Sequence, residues 1–102
     1  MKTLLACAAL ALLIAAPARG ATDPEVVARG KYLAAAGDCV ACHTAPNGKP
    51  YAGGRAVESP FGDIYSSNVT PDRKYGIGDY SLADFSRAVR EGIRQDGSRL
   101  YP

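Results

Sequence analysis

Apolar positions along the chain fall into distinct regimes. Leu4 to Ala16 is an unbroken apolar run behind a single basic residue, Lys2. As a helix at ~1.5 Å per residue it reaches roughly 20 Å, short of the ~30 Å hydrocarbon core of a bilayer. With Ala16-Pro17-Ala18 as an A-x-A cleavage site and Ala18-Arg19-Gly20 as a second, residues 1–20 read as a secretory signal peptide. Periodicity of three and four then takes over. Val26, Val27, Gly30, Leu33 and Ala34 share one face and predict a helix over 23–36. Asp23 suits its N-cap, Pro24 its first position and Gly37 its stop. Gly30 on the apolar face predicts a close crossing by another helix. A second helix is expected over 82–94, where Leu82, Phe85, Val89 and Ile93 form a stripe and Ser81 with Asp84 a capping box.

Between the two, residues 44–80 carry no period. Ten Gly and Pro residues, from Pro46 to Gly78, punctuate them, with Ile64, Tyr65 and Val69 as one short extended piece. A loop of this length in a small domain counts against the assignment unless the loop has work to do. Wrapping a flat cofactor is such work.

Composition narrows the class. The chain has 102 residues, 12 basic against 10 acidic, for a net charge of +2. Cleavage after Ala18 removes Lys2 and leaves +1, far from the strongly basic balance of a nucleic-acid binder. It also removes Cys7 and Met1, the only methionine, so Cys39 and Cys42 remain as the only cysteines. About 84 residues make one small domain whose core is marginal without a staple.

Cys39-Val40-Ala41-Cys42-His43 supplies the staple. This is the C-x-x-C-H signature of c-type haem attachment. Two thiols one helical turn apart add across the haem vinyl groups, and the adjacent imidazole ligates the iron. Cys39, Cys42 and His43 are therefore the expected cofactor-binding residues, with His43 the expected metal ligand. Three other readings of the pair exist. A thioredoxin-like dithiol sits between a strand and a helix, whereas here a helix precedes it. A structural zinc site takes four ligands, and a mature chain with two Cys and one His offers three. The third is a plain structural disulfide.

Further stretches resemble one family. Arg29-Gly30-Lys31-Tyr32-Leu33, Ala36-Gly37-Asp38-Cys39 and Cys42-His43-Thr44-Ala45 are similar to the cytochrome c subunit of bacterial membrane-bound alcohol, aldehyde and gluconate dehydrogenases. So are Gly48-Lys49-Pro50, Ala52-Gly53-Gly54, Pro60-Phe61-Gly62 and Ile64-Tyr65-Ser66. Asn68 to Asp72, Gly76 to Ser81 and Asp96 to Pro102 continue the likeness, which covers nearly all of residues 25–102.

The resemblance implies an all-α, class I cytochrome c-like domain over residues 21–102, incomplete at its C-terminus. It implies one covalent haem c in this chain and one-electron transfer, with no catalytic site of its own. The implied partners are a quinoprotein or flavoprotein dehydrogenase subunit and, through the full-length subunit, ubiquinone at the inner membrane; nucleic acid is not among them. The implied location is periplasmic, at the outer face of that membrane. The chain departs from the family in having one C-x-x-C-H where the family has three, and in ending where the family's methionine loop begins. It thus reads as a first haem domain without the axial Met and the last helix, with a potential below that of a His/Met cytochrome. An open iron face would also suit a ligand sensor or weak peroxidase.

Finer roles follow from the motif. The second ring nitrogen of His43 should donate to a backbone carbonyl, from Pro46 or near Gly53. Arg55, Tyr65 and Asn68 are candidates for the haem propionates. Lys49, Lys74 and Tyr101 are candidates to approach the iron from the far side. Arg87, Arg90 and Arg94 are expected along one helix face, solvated or facing an acidic partner.

Overall fold

Local capping chemistry sets the two longer helices, and the computed structural model describes residues 23–101. The expected signal peptide lies outside the described residues. Helix α1 spans Pro24–Ala36, with the Asp23 carboxylate accepting from Glu25 N at 2.9 Å and Pro24 in the first turn. Gly37 caps its end in a right-handed conformation, and the left-handed residue follows at Asp38, with φ 51°. A short polar side chain tolerates that region better than most. The reversal at Asp38 starts a second, four-residue helix α2, Cys39–Cys42. One turn thus carries both cysteines, as the motif predicts.

Helix α3 spans Leu82–Glu91, three residues shorter than the apolar stripe suggests. Both arms of the expected capping box are present: Asp84 N donates to Ser81 Oγ at 3.1 Å, and Ser81 N to Asp84 Oδ2 at 3.1 Å. Gly92, at φ 66°, closes the helix with a left-handed residue, its N–H bonded to the Ala88 carbonyl. Ile93 then pairs with Arg99 in an isolated antiparallel bridge, and Leu100 N returns to the Gly92 carbonyl at 2.7 Å. Arg94 is consequently off the helix, and the expected single face of Arg87, Arg90 and Arg94 does not form.

The all-helical expectation holds only in part. Strands β1 (Ala56–Val57) and β2 (Ile64–Tyr65) form a two-stranded antiparallel ladder pairing Ala56 with Tyr65 and Val57 with Ile64. Side-chain turns fix much of the remaining loop. Asn68 Oδ1 accepts from Thr70 N and Oγ1, and Asp72 Oδ1 from Lys74 N and Tyr75 N, all at 2.6–2.9 Å. These Asx turns replace packing as the source of order.

Packing between elements is sparse. Helix α1 touches α2, β1 touches β2, and α3 packs on no other described helix or strand. Nothing lies within 4 Å of the space beside Gly30, so no described segment makes the expected crossing there. No described apolar side chain is buried; Leu82 is 85% exposed and Phe85 47%. No described helix is long and apolar enough to cross a membrane.

Substituting Ser81 by Ala is expected to lower the unfolding free energy by about 1 kcal/mol, the usual cost of a lost N-cap, measured by denaturant titration of the α3 helical signal. Hydrogen bonds from Ser81 hold the Asp84 carboxyl below its ordinary value of 3.8. A depressed acid stabilises the fold above its unfolded value. The α3 contribution is therefore expected to be complete above about pH 4 and to fade as pH falls through the folded pKa, read by circular dichroism on acidification.

Candidate functional site

His43 follows α2 as its C-cap, its backbone N–H bonded to the Cys39 carbonyl at 3.0 Å. Its ring Nδ1 lies 2.7 Å from the carbonyl oxygen of Ser67. A carbonyl only accepts, so Nδ1 carries a proton and donates, and in the neutral ring the lone pair is on Nε2. The partner is neither Pro46 nor a residue next to Gly53 in sequence, as expected, but one 24 positions away. The expectation was nevertheless close in space. Gly53 N donates to the His43 carbonyl and Gly54 N to the Ser66 carbonyl, both at 2.8 Å, so the Gly53-Gly54 pair threads between the two segments.

Gly53 is there because nothing larger fits. Its φ is +72°, and a Cβ would run into the backbone of Ser66 and Ser67. It is the one described residue that is buried. Tyr51, two positions earlier, also sits at positive φ, 63°, a costly conformation for its type. Hydrogen bonds on both sides hold it: its N–H to Thr44 Oγ1 at 3.1 Å, and its carbonyl from Val69 N at 2.9 Å.

Cys39 and His43 stand on the wall of a cavity of about 620 Å³, within the ~300–1,000 Å³ range of cofactor and ligand sites. The facing walls are apolar and aromatic. Phe85, Ala88 and Val89 come from α3, Ile77 and Tyr80 from the loop before it, and Leu100 from the return after Gly92. Residues 65–69 form a further wall that includes Tyr65 and Asn68. Asn68 Oδ1 is already taken by Thr70, so only its amide N–H groups remain to donate into the cavity. No carboxylate lines the cavity among the described residues.

Several expected participants lie elsewhere. Cys42 is exposed at the end of α2 and does not line the cavity, though it is unpaired, as is Cys39. Arg55 is exposed and off the wall; its backbone N–H serves Ser66 Oγ. Lys49, Lys74 and Tyr101 do not reach the wall either. Lys74 Nζ lies 4.9 Å from the centre of its neighbour's ring, Tyr75, and Tyr101 borders a second depression of about 540 Å³. Conversely, sequence reasoning missed Ser67, Tyr75, Ile77, Tyr80, Arg94 and Leu100. Only Arg94 had a legible signal, the Gly92 stop that ends the helix before it. No group of three or more Cys, His, Asp or Glu suited to a metal ion occurs among the described residues, and no described strand precedes the cysteine pair.

No family model matches the chain. Curated relatives do. It is 51% identical over 102 residues, its whole length, to the gluconate 2-dehydrogenase cytochrome c subunit of Pantoea cypripedii, and covers 23% of that protein. It is 60% identical over 80 residues, 78% of the chain, to the cytochrome c subunit of alcohol dehydrogenase (quinone) of Gluconacetobacter polyoxogenes, covering 17% of it. It is 56% identical over 77 residues, 74% of the chain, to the fructose dehydrogenase cytochrome subunit of Gluconobacter japonicus, covering 16%. The chain is cytochrome c-like in sequence throughout the described residues. Its homologues at 51–60% identity are cytochrome c subunits of bacterial alcohol, gluconate and fructose dehydrogenases, and it spans roughly a fifth of the length of those relatives.

Replacing Gly53 by Val is expected to displace the Ser67 carbonyl and release the His43 ring. In nitrogen-15 spectra at neutral pH, the unsubstituted chain should show a single Nδ1-protonated tautomer and the variant a mixture. An unchanged single tautomer in Gly53→Val would break the link between this glycine and the imidazole.

Proposed function

We propose that this chain holds one haem c covalently through Cys39 and Cys42, with His43 Nε2 as the proximal iron ligand, and that it serves one-electron transfer. The observation that carries the reading is the C-x-x-C-H segment on α2, with its imidazole held by Ser67 at the wall of an apolar cavity. Bound haem supplies a one-electron iron couple at a potential the surrounding residues tune.

The chain's own residues do the rest. One helical turn spaces the two thiols. The Nδ1–H···O=C bond to Ser67 fixes the tautomer and the plane of the ring, so that the basic nitrogen is the free one. Phe85, Val89, Ile77 and Leu100 would offer a bound haem their apolar surface, and would keep water from it once it covered them. Covering these side chains would also give the domain the apolar core that its described residues do not make among themselves.

The relatives' names support a dehydrogenase subunit as the partner, and the rest of the setting follows from the sequence reading. In this reading residues 21–102 form a class I cytochrome c-type domain behind a signal peptide over 1–20. The domain works in the periplasm at the outer face of the inner membrane. It takes electrons from a quinoprotein or flavoprotein dehydrogenase subunit and passes them towards ubiquinone. The substrate belongs to the dehydrogenase partner.

The test is an alkaline pyridine haemochrome spectrum of full-length chain exported from a host with haem c maturation machinery. A c-type spectrum at one haem per chain, surviving acidic acetone extraction, is expected. The Cys39→Ala, Cys42→Ala double variant should lose all extraction-resistant haem. Intact exported protein without covalent haem would overturn the proposal.

A further inference from the structure

Of the arginines in the described residues, Arg94 alone lines the cavity. The others are engaged or placed elsewhere. Arg73 pairs with Asp79 at 2.6 Å and Arg87 with Asp84 at 3.2 Å. Arg90 and Arg99 border the second depression. Arg94 makes no ion pair within 4 Å among the described residues. The nearest acid in sequence, Asp96, spends its Oδ1 on Ser98 N at 2.9 Å and Ser98 Oγ at 2.6 Å, closing its own turn.

The backbone of Arg94 is tightly held while its side chain is not. Arg94 N donates to the Ser98 carbonyl at 2.8 Å, and Gly97 N to the Arg94 carbonyl at 3.0 Å. The bridge from Ile93 to Arg99 and the bond from Leu100 N to Gly92 O lock the base of the same turn. A rigid turn therefore sets Arg94, whose guanidinium has five donors, in a cavity lining that holds no carboxylate among the described residues. A fork of that kind suits a carboxylate supplied by whatever fills the cavity. The same wall carries the Asn68 amide, whose remaining capacity is donor only.

We propose that Arg94, together with Asn68 of the same cavity lining, binds the haem propionate carboxylates. This rests on the haem reading above and goes beyond it by assigning the cofactor's anionic edge to a turn outside α3. It also moves the role from Arg55, which is off the wall. A guanidinium there offsets negative charge near the iron and favours the reduced state, which carries one positive charge fewer.

The experiment uses the full exported chain, with covalent haem first verified by haemochrome spectroscopy. Absence of haem in the unsubstituted protein would overturn the haem reading itself, whereas the following outcomes bear on Arg94 alone. Arg94→Gln is expected to lower the midpoint potential, Arg94→Lys to recover most of the loss, and Arg55→Gln to leave the potential unchanged. A potential in Arg94→Gln equal to that of the unsubstituted protein, or an equal drop in Arg55→Gln, would overturn the assignment. If Arg94→Gln does not accumulate, butanedione modification of the unsubstituted haem protein decides, read by peptide mass. Arg94 should react several-fold more slowly than Arg55; equal rates would overturn it.

Discussion

Gly53 is the one residue that the described chain buries, and it has no side chain to contribute. It marks the place where three backbone segments meet: the end of α2, the Tyr51–Gly54 turn and residues 66–69. Four bonds between segments distant in sequence meet at this junction. His43 reaches Ser67, Gly53 reaches His43, Gly54 reaches Ser66 and Val69 reaches Tyr51. The strained backbone at Tyr51 and the left-handed one at Gly53 are what allow so close an approach. Because the apolar side chains do not cover one another, this polar junction gives the region its shape.

Around it, order comes from short-range chemistry. Carboxylates, amides and hydroxyls at Asn68, Asp72, Ser81 and Asp96 each close a turn or a cap within three residues of themselves. The geometry that carries the cavity is thus assembled from small local units, hinged at glycines. The apolar residues ride on those units and present a concave surface that suits a large flat cofactor better than it suits a neighbouring helix.

That division explains what the sequence disclosed. Caps announce themselves, since Asp23-Pro24 and Ser81-x-x-Asp84 act within one turn, and both helix starts were legible from those residues. The C-x-x-C-H segment was equally legible, because its chemistry is contained in five consecutive residues. The end of α3 was misread: an apolar stripe running on to Ile93 outweighed Gly92, and the error carried Arg94 onto the wrong element. The Ser67 carbonyl left no trace at all, because any residue type supplies a backbone oxygen and only the folded path brings it to His43. The ladder at Ala56-Val57 was equally silent, two residues being too few to show alternation.

The span of the His43–Ser67 bond has a kinetic side. Capping boxes and Asx turns close loops of two or three residues and form on the fastest timescales of folding. Joining His43 to Ser67 closes a loop of 24 residues, with a correspondingly larger entropic toll before any contact repays it. Sequence separation therefore imposes an order of events. The turns take shape first and bring the ends of the loop into range. Loop entropy alone therefore favours the turns ahead of the His43–Ser67 bond.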